Sequence, residues 1–429
     1  MTTRTRSIAL LVATSLALSA CSSAPSLPPG GTIELARSAV ARVAANPADA
    51  ALAGAAINAF GIELYAKLAT GTPNAVVSPA SIALALGMAR AGAKGKTATE
   101  MDAVLHNLAS DVNASWLNAL DAALTARSGT FKDATGQDLA VTLRIANAPF
   151  AQKGMALQQA YLDALASRWG AGLRLVDYIN ATEAARKAIN GWVSDQTEQR
   201  IPELLQPGVL DTMSRLTLVN AIYLKAAWQD PFEASATANG AFTTAAGTSV
   251  TVPLMHATTG LRYAKGAGWQ AVEIPYIGGS LAMTVILPDD LAAFERAFDS
   301  ATLGAITGGL ADTQVTLTLP KFSIETKAEL GRLLEVLGMP TAFSGSADFS
   351  GITTAEQLAI SAVIHQANID VDEKGTTAAA ATAVVLRATG MPAQPVTLSV
   401  DHPFLFALRD VPTGTVLFLG RVSDPSNVR

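Results

Sequence analysis

The chain has one cysteine among its 429 residues. A single thiol cannot build an intramolecular disulfide framework, an iron–sulfur cluster or a Cys-based zinc site. Histidine is scarce too. His106, His256, His365 and His402 lie far apart, with no HxxxH pair and no carboxylate at metal-ligand spacing, so neither a metal nor a cofactor is expected. Charged residues make up 15 % of the chain and the net charge is −5, which offers no basic face to nucleic acid. Beyond residue 21 no apolar run is long enough to span a bilayer. What the chain does have is 50 % apolar residues, much of it alanine. That is too apolar for disorder and ample for a large core.

The cysteine itself is informative. Arg4 and Arg6 precede an apolar run, Ile8–Ala20, too short for a ~30 Å hydrocarbon core, which takes roughly 20 residues. A basic start followed by a short apolar stretch is the layout of a secretory signal. The run ends in Leu18-Ser19-Ala20-Cys21, which resembles a bacterial lipobox. That resemblance implies cleavage before Cys21 and a diacylglycerol on its sulfur; the alternative is an ordinary cleavage site with an incidental Cys. Residues 1–20 are thus expected to be a lipoprotein signal peptide. The mature protein is expected at the cell envelope, anchored through Cys21 in the outer membrane or facing the periplasm, or else at the cell surface or outside it. Residues 21–50, with Pro25, Pro28, Pro29, Gly30 and Gly31, read as a tether, interrupted by a short helix over Ile33–Val43.

From about Ala51 onward there is no linker, charge run or repeat. Leu52, Ala56, Phe60, Leu64 and Leu68 recur every four residues and predict an amphipathic helix. A short strand over Ala75–Val77 leads into Ser78-Pro79, an N-cap with proline at the first helical position, and a helix that ends at Gly92. Thr97 and Glu100 have the spacing of a capping box. Further helices are expected near Tyr161–Arg168, Glu183–Thr197, Ala292–Phe298 and Thr326–Leu337. Val315–Leu319 alternates as a half-buried strand. Hairpins are expected at Glu273–Tyr276 with Leu281–Leu287 and at Phe404–Leu408 with Val416–Gly420. Mixed order of this kind predicts one α+β domain over residues 51–429.

Catalytic motifs fail on inspection. Gly92-Ala93-Lys94-Gly95-Lys96-Thr97 looks like the end of a phosphate loop, but Arg90 stands where a Gly is required. Ser78-Pro79-Ala80-Ser81 lacks the Lys of an S-x-x-K acylase, and there is no G-x-S-x-G elbow. The chain is read as not an enzyme. An envelope hydrolase with a dispersed triad stays open on sequence alone, because triad members need not be adjacent.

One segment is unusual. A strand beginning near Ala359 ends at Asn368–Val371 and is followed by Asp372-Glu373-Lys374-Gly375-Thr376-Thr377-Ala378-Ala379-Ala380-Ala381-Thr382-Ala383-Val384-Val385. Gly and paired Thr start this run badly for a helix, and β-branched residues finish it. Here the chain resembles the serpins, whose hinge is an acidic residue and Gly-Thr followed by small residues. Leu398-Ser399-Val400-Asp401-His402-Pro403-Phe404-Leu405-Phe406 is similar to the family's C-terminal signature. Agreement extends to blocks at Asn74–Met101, Leu218–Phe232, Val252–Asp289 and Leu319–Phe322. The resemblance implies three β-sheets, a helical cluster, an exposed reactive-centre loop at about 373–397, a metastable native state and a monomer.

It also implies a mechanism. A protease attacks a bond in the loop and forms an acyl-enzyme. The severed loop then enters the main sheet as a new strand, carrying the protease with it. Glu373, Gly375, Thr376, Ala378, Ala379, Ala380 and Ala381 would form the hinge. In an inserted strand Thr376, Ala378, Ala380, Thr382 and Val384 would face inward, and all are small or β-branched. Large side chains there would be resisted by a packed interior. About 15 inserted residues at ~3.3 Å each span roughly 50 Å. Thr377 departs from the Glu usual in inhibitory relatives, at a position that should face solvent. The family's spacing places the scissile bond at Thr389–Gly390, suiting an elastase- or subtilisin-like serine protease; Arg387 is the competitor and would suit a trypsin-like one. Ser78, Ser81, Asn220 and His365 match the family's shutter, a polar cluster beneath the central strands. The alternative reading is a non-inhibitory binding protein with the same fold.

Overall fold

The computed structural model describes residues 32–71, 73–376 and 394–427. In chain order the first third holds β1 (Glu34–Ala36), α1 (Pro47–Leu68), β2 (Ala75–Val77), α2 (Pro79–Arg90), α3 (Gly95–Val104), α4 (Ala114–Thr125), β3 (Gly129–Lys132) and β4 (Asp138–Gln152). Next come α5 (Gln159–Trp169), β5 (Leu173–Val176), α6 (Tyr178–Gln196), β6 (Leu216–Ala227), β7 (Ala238–Thr243), β8 (Ser249–Gly266), β9 (Trp269–Pro275) and β10 (Leu281–Pro288). The remainder is α7 (Leu291–Ala297), α8 (Ser300–Gly308), β11 (Ala311–Pro320), β12 (Phe322–Glu329), α9 (Gly331–Leu337), β13 (Ala362–Asp372), β14 (Gly375–Thr376), β15 (Val396–Ser399), β16 (Phe404–Asp410) and β17 (Thr415–Val422).

The large sheet runs β1-β5-β4-β6-β14-β13-β12, with β3 added beside β4. The two smaller sheets share β8: its first part pairs with β7 and its last residues with β9, so together they form one nine-stranded ladder. Helix α2 lies in the middle of this assembly, and every one of its residues is buried. It starts as the sequence predicts. Pro79 occupies the first turn and the Ser78 side chain accepts from the Ser81 N–H. Phe322, at the start of β12, packs against Phe406 (ring centroids 5.3 Å apart) and Phe404 (5.8 Å) of β16, joining the large sheet to the second one.

Three local expectations are overturned. Ile33–Val43 is not a helix: Glu34–Ala36 pairs antiparallel with β5 at the sheet's edge. The following residues are held by Arg42 on Asn118 and Asp121 and by the Val43 N–H on Ser167. Tertiary hydrogen bonds there outweigh a weak helical pattern. Thr97 and Glu100 do not make a capping box, because α3 begins two residues before Thr97. Thr97 Oγ1 instead accepts from Asp348 N–H, and Glu100 binds the N–H and hydroxyl of Thr341. Thr326–Leu337 is not one helix. Strand β12 continues to Glu329 and only Gly331–Leu337 is helical, since pairing with β13 and alternating burial of Phe322 and Ile324 favour the extended chain.

Truncating Phe322, which is 3 % exposed, should open a cavity between the sheets. Phe322→Ala is expected to cost about 3–5 kcal/mol, read as a lowered urea midpoint of unfolding.

Candidate functional site

Strands β6 and β13 belong to distant parts of the chain and pair in parallel, from Ala362 opposite Thr217 to Ala367 opposite Ile222. Beyond that point they separate, and the two residues of β14 lie between them. Gly375 and Thr376 stand opposite Ala227 and Ala226 of β6 and opposite Asp372 and Val371 of β13, antiparallel to both. The expected hinge therefore already occupies the first two places of an additional central strand. The chain next reaches described structure beside the second sheet, where Val396–Ser399 pairs with β11. Cys21, the hinge residues Ala378, Ala379, Ala380 and Ala381, and the reactive-bond candidates Arg387, Thr389 and Gly390 lie outside the described residues.

The turn that feeds β14 is fixed by its own acid. Asp372 Oδ1 accepts from the N–H groups of Lys374 (2.8 Å) and Gly375 (3.2 Å). Carbonyls along the turn are taken up by the exit of β6. Trp228 Nε1 donates to Asp372 O, Phe232 N to Glu373 O and Trp228 N to Lys374 O, each at 2.9 Å. Glu373 is clamped by the Lys321 ammonium and the Thr237 hydroxyl, both at 2.8 Å. Burial opposes ionisation of this carboxyl, but these partners outweigh it and hold its pKa below the usual range.

Gly375 has φ +143°, and a Cβ there would lie 2.2 Å from Ala226 O. Only glycine fits. Thr376 is 2 % exposed, with its hydroxyl 2.6 Å from Tyr276 Oη. Tyr276 stacks on Trp228 at 4.4 Å, and burial pushes its phenol up, so it stays neutral. Trp228, Tyr276, Lys321 and Thr237 escaped sequence reasoning as hinge partners. Lys321, Trp228 and Tyr276 lie in matched blocks, but nothing in one dimension shows that these residues meet.

Lower in the same sheet, Ser78, Ser81, Asn220 and His365 do come together, all buried. Ser78 N–H donates to His365 Nε2 at 3.2 Å, which makes Nδ1 the protonated nitrogen and the donor to Asn220 Oδ1 at 2.5 Å. Ser81 N–H donates to Ser78 Oγ, and Ser81 Oγ donates to Asn147 Oδ1 at 2.8 Å. Asn147 on β4 stands opposite Asn220 on β6, so the start of α2 is tied to three adjacent strands. Asn147 was not expected from the sequence. Full burial pushes the His365 pKa down from 6.5 to about 3, which keeps the imidazole neutral. Among the described residues no group of three His, Cys, Asp or Glu side chains could hold a metal ion, and no helix is long and apolar enough to cross a membrane.

Comparison with known proteins identifies the family to which this architecture belongs. A family profile described as "Serpin (serine protease inhibitor)" matches residues 55–425. The chain belongs to the serpin family. An uncharacterised serpin-like protein of Thermococcus kodakarensis is 39 % identical over 378 residues, 87 % of this chain and 85 % of the relative. The human leukocyte elastase inhibitor is 34 % identical over 382 residues, 85 % of this chain and 97 % of the relative. Among solved structures, the native thermophilic serpin tengpin superposes with a TM-score of 0.79 at 25 % identity, covering 91 % of this chain and all of the other. The chain has the α+β serpin fold, and its large sheet carries both the Gly375-Thr376 pair and the strands that meet the Ser78–His365 cluster.

Two measurements check this site. Gly375→Ala should expel the hinge from its place beside Ala226, at a cost of about 1–3 kcal/mol, seen as faster amide exchange at Thr376 and Ala226. Unfolded chains protonate a histidine that the native serpin keeps neutral, so stability should fall as pH drops from 6.5 toward 3, by about 1.4 kcal/mol per pH unit at most. His365→Gln should lower the urea midpoint at pH 7 but flatten its decline with acid.

Proposed function

We propose that this serpin inhibits a serine protease as a suicide substrate, trapping the acyl-enzyme by drawing its cleaved loop between β6 and β13. The observation that carries the reading is the position of Gly375-Thr376, already antiparallel to both flanking strands with Thr376 buried. Ala378, Ala380, Thr382 and Val384, the next positions that would turn inward, are small or β-branched, so entry of this stretch meets little steric resistance. The loop bond assigned to cleavage is Thr389–Gly390. Small side chains there fit an elastase- or subtilisin-like protease, in keeping with similarity to relatives named leukocyte elastase inhibitor. Cleavage after Arg387 by a trypsin-like enzyme is the other arm of the test. In this reading the chain is a stoichiometric inhibitor and works as a monomer.

The same reading places the protein at the cell envelope as a bacterial lipoprotein, held by a lipid on Cys21 after removal of residues 1–20. The lipobox-like Leu18-Ser19-Ala20-Cys21 supports this. Cys21→Ser should then move the protein from the membrane to the soluble fraction.

Incubation with an elastase should give a covalent complex that survives boiling in detergent, and mass spectrometry should find a released peptide beginning at Gly390. A peptide beginning at Ala388 would reassign the bond to Arg387. Thr376→Arg should convert inhibitor into substrate, with at least a tenfold loss of complex, since a buried unpaired charge is costly. Cleavage that leaves every protease tested fully active would overturn inhibition in favour of a non-inhibitory binding role.

A further inference from the structure

Exposed apolar side chains are ordinary when they are scattered, but here they gather. Of the nine large ones exposed among the described residues, five belong to one region: Leu35, Val40, Val43, Leu52 and Val112. Hydrogen bonds tie that region together. Val43 N–H donates to Ser167 O on α5, and Val43 O accepts from Asn118 Nδ2 on α4 at 2.9 Å. In the first turn of α4, Ser115 Oγ donates to Asp49 Oδ2 in the first turn of α1 at 2.7 Å. Leu52 lies one turn beyond Asp49, and Val112 shortly precedes Ser115. Val43 (61 % exposed), Leu52 (50 %) and Val112 (92 %) therefore stand around the place where the strap and two helix starts meet.

Charge is sparse in the same place. From Ala39 to Leu52 only Arg42 and Asp49 are charged, fewer than the quarter to third of positions, roughly, that keeps a surface well solvated. Arg42 is taken by Asn118 and Asp121, and Asp49 by Ser115. Ala39, Ala41, Ala44, Ala48 and Ala51 are exposed between them. The position of the patch points to what covers it. Cys21 lies 11 residues before Thr32, the first described residue, and such a stretch reaches at most about 40 Å. A domain of this size is roughly 50 Å across, so a lipid on Cys21 keeps the strap side of the molecule near the headgroups.

We propose that the face carrying Val40, Val43, Leu52 and Val112 rests on the phospholipid surface in which Cys21 is anchored. The proposal rests on the lipoprotein reading above and adds an orientation to it: the tether limits distance, and the patch decides which side meets the bilayer. Apolar side chains on such a face enter the boundary between headgroups and acyl chains. Asp49 and Asp111 stand beside them, so apolar burial, not attraction to anionic lipid, holds the contact. Both ends of the reactive loop join other parts of the molecule. β14 lies between β6 and β13, and β15 lies beside β11, strands that carry none of the five side chains, so the docked face does not include them.

The protein produced in bacteria from its full sequence, reconstituted in phosphatidylcholine vesicles with plain or brominated lipid, tests this by tryptophan quenching. Val112→Trp and Val43→Trp report on the patch. Thr258→Trp, exposed on β8 beside β11, reports on the loop side. The added emission at positions 112 and 43 should be quenched at least about twofold more than at 258, and salt up to about 1 M should not change this. Leu52→Asp added to Val112→Trp should remove the excess. Melting curves show which variants are folded, and if one patch reporter fails to fold the other decides. Equal quenching at 112 and 258 in a protein whose intact mass shows lipid on Cys21 would overturn the docking face and leave the lipoprotein reading standing. An intact mass without lipid would overturn that reading and this proposal with it. An excess that disappears in salt would overturn apolar burial as its cause. None of these readouts depends on protease trapping.

Discussion

Everything distinctive in this molecule depends on the parallel seam between β6 and β13. It is a short ladder flanked on both sides by antiparallel ones, β4 with β6 and β12 with β13. Parallel pairing is slightly less stable per residue than antiparallel pairing, so this line is weaker than the antiparallel ladders on either side of it. A strand entering from Thr376 would replace one parallel ladder with two antiparallel ladders, as Gly375 and Thr376 already do at the head. On the proposed inhibitory reading, insertion would be downhill and delayed by the need to part β6 from β13, and the native state would persist for kinetic reasons.

Two polar clusters hold the strands on either side of this line at different levels of the sheet. At the head, Trp228, Tyr276, Lys321 and Thr237 fix the Asp372–Thr376 turn, so the hinge is aimed into the gap before any cleavage. Lower down, His365 on β13 is bonded to Asn220 on β6, and that bond must break or move when the strands part. A charged imidazole could not replace it, because at full burial the proton is held only below about pH 3.

Much of this was legible in one dimension. Gly375-Thr376 marked the turn at the head of the sheet, and Ser78-Pro79 the start of the buried helix beneath it. Partners drawn from far along the chain were not legible. Tyr276 meets Thr376 across 100 residues and Asn147 meets Ser81 across 66, and no local pattern encodes such encounters. Thr97 with Glu100 misled for the same reason: both side chains bond across the molecule, to Asp348 and Thr341, not to their own helix end. Ile33–Val43 misled because an edge of the large sheet was available to Glu34–Ala36, and a strand's worth of tertiary bonds outweighs a marginal helix.

The central claim is that the closed sheet is a trapped state that a severed loop can relieve. Nicking the intact protein once within residues 377–393 and comparing thermal unfolding before and after tests this directly. The account predicts that the cleaved chain melts higher by far more than the few degrees a single side-chain change produces, together with new protection of amides in Tyr223–Lys225 and Asn368–Asp370, which lie between the parallel ladder and β14. An unchanged melting curve after complete cleavage would contradict it.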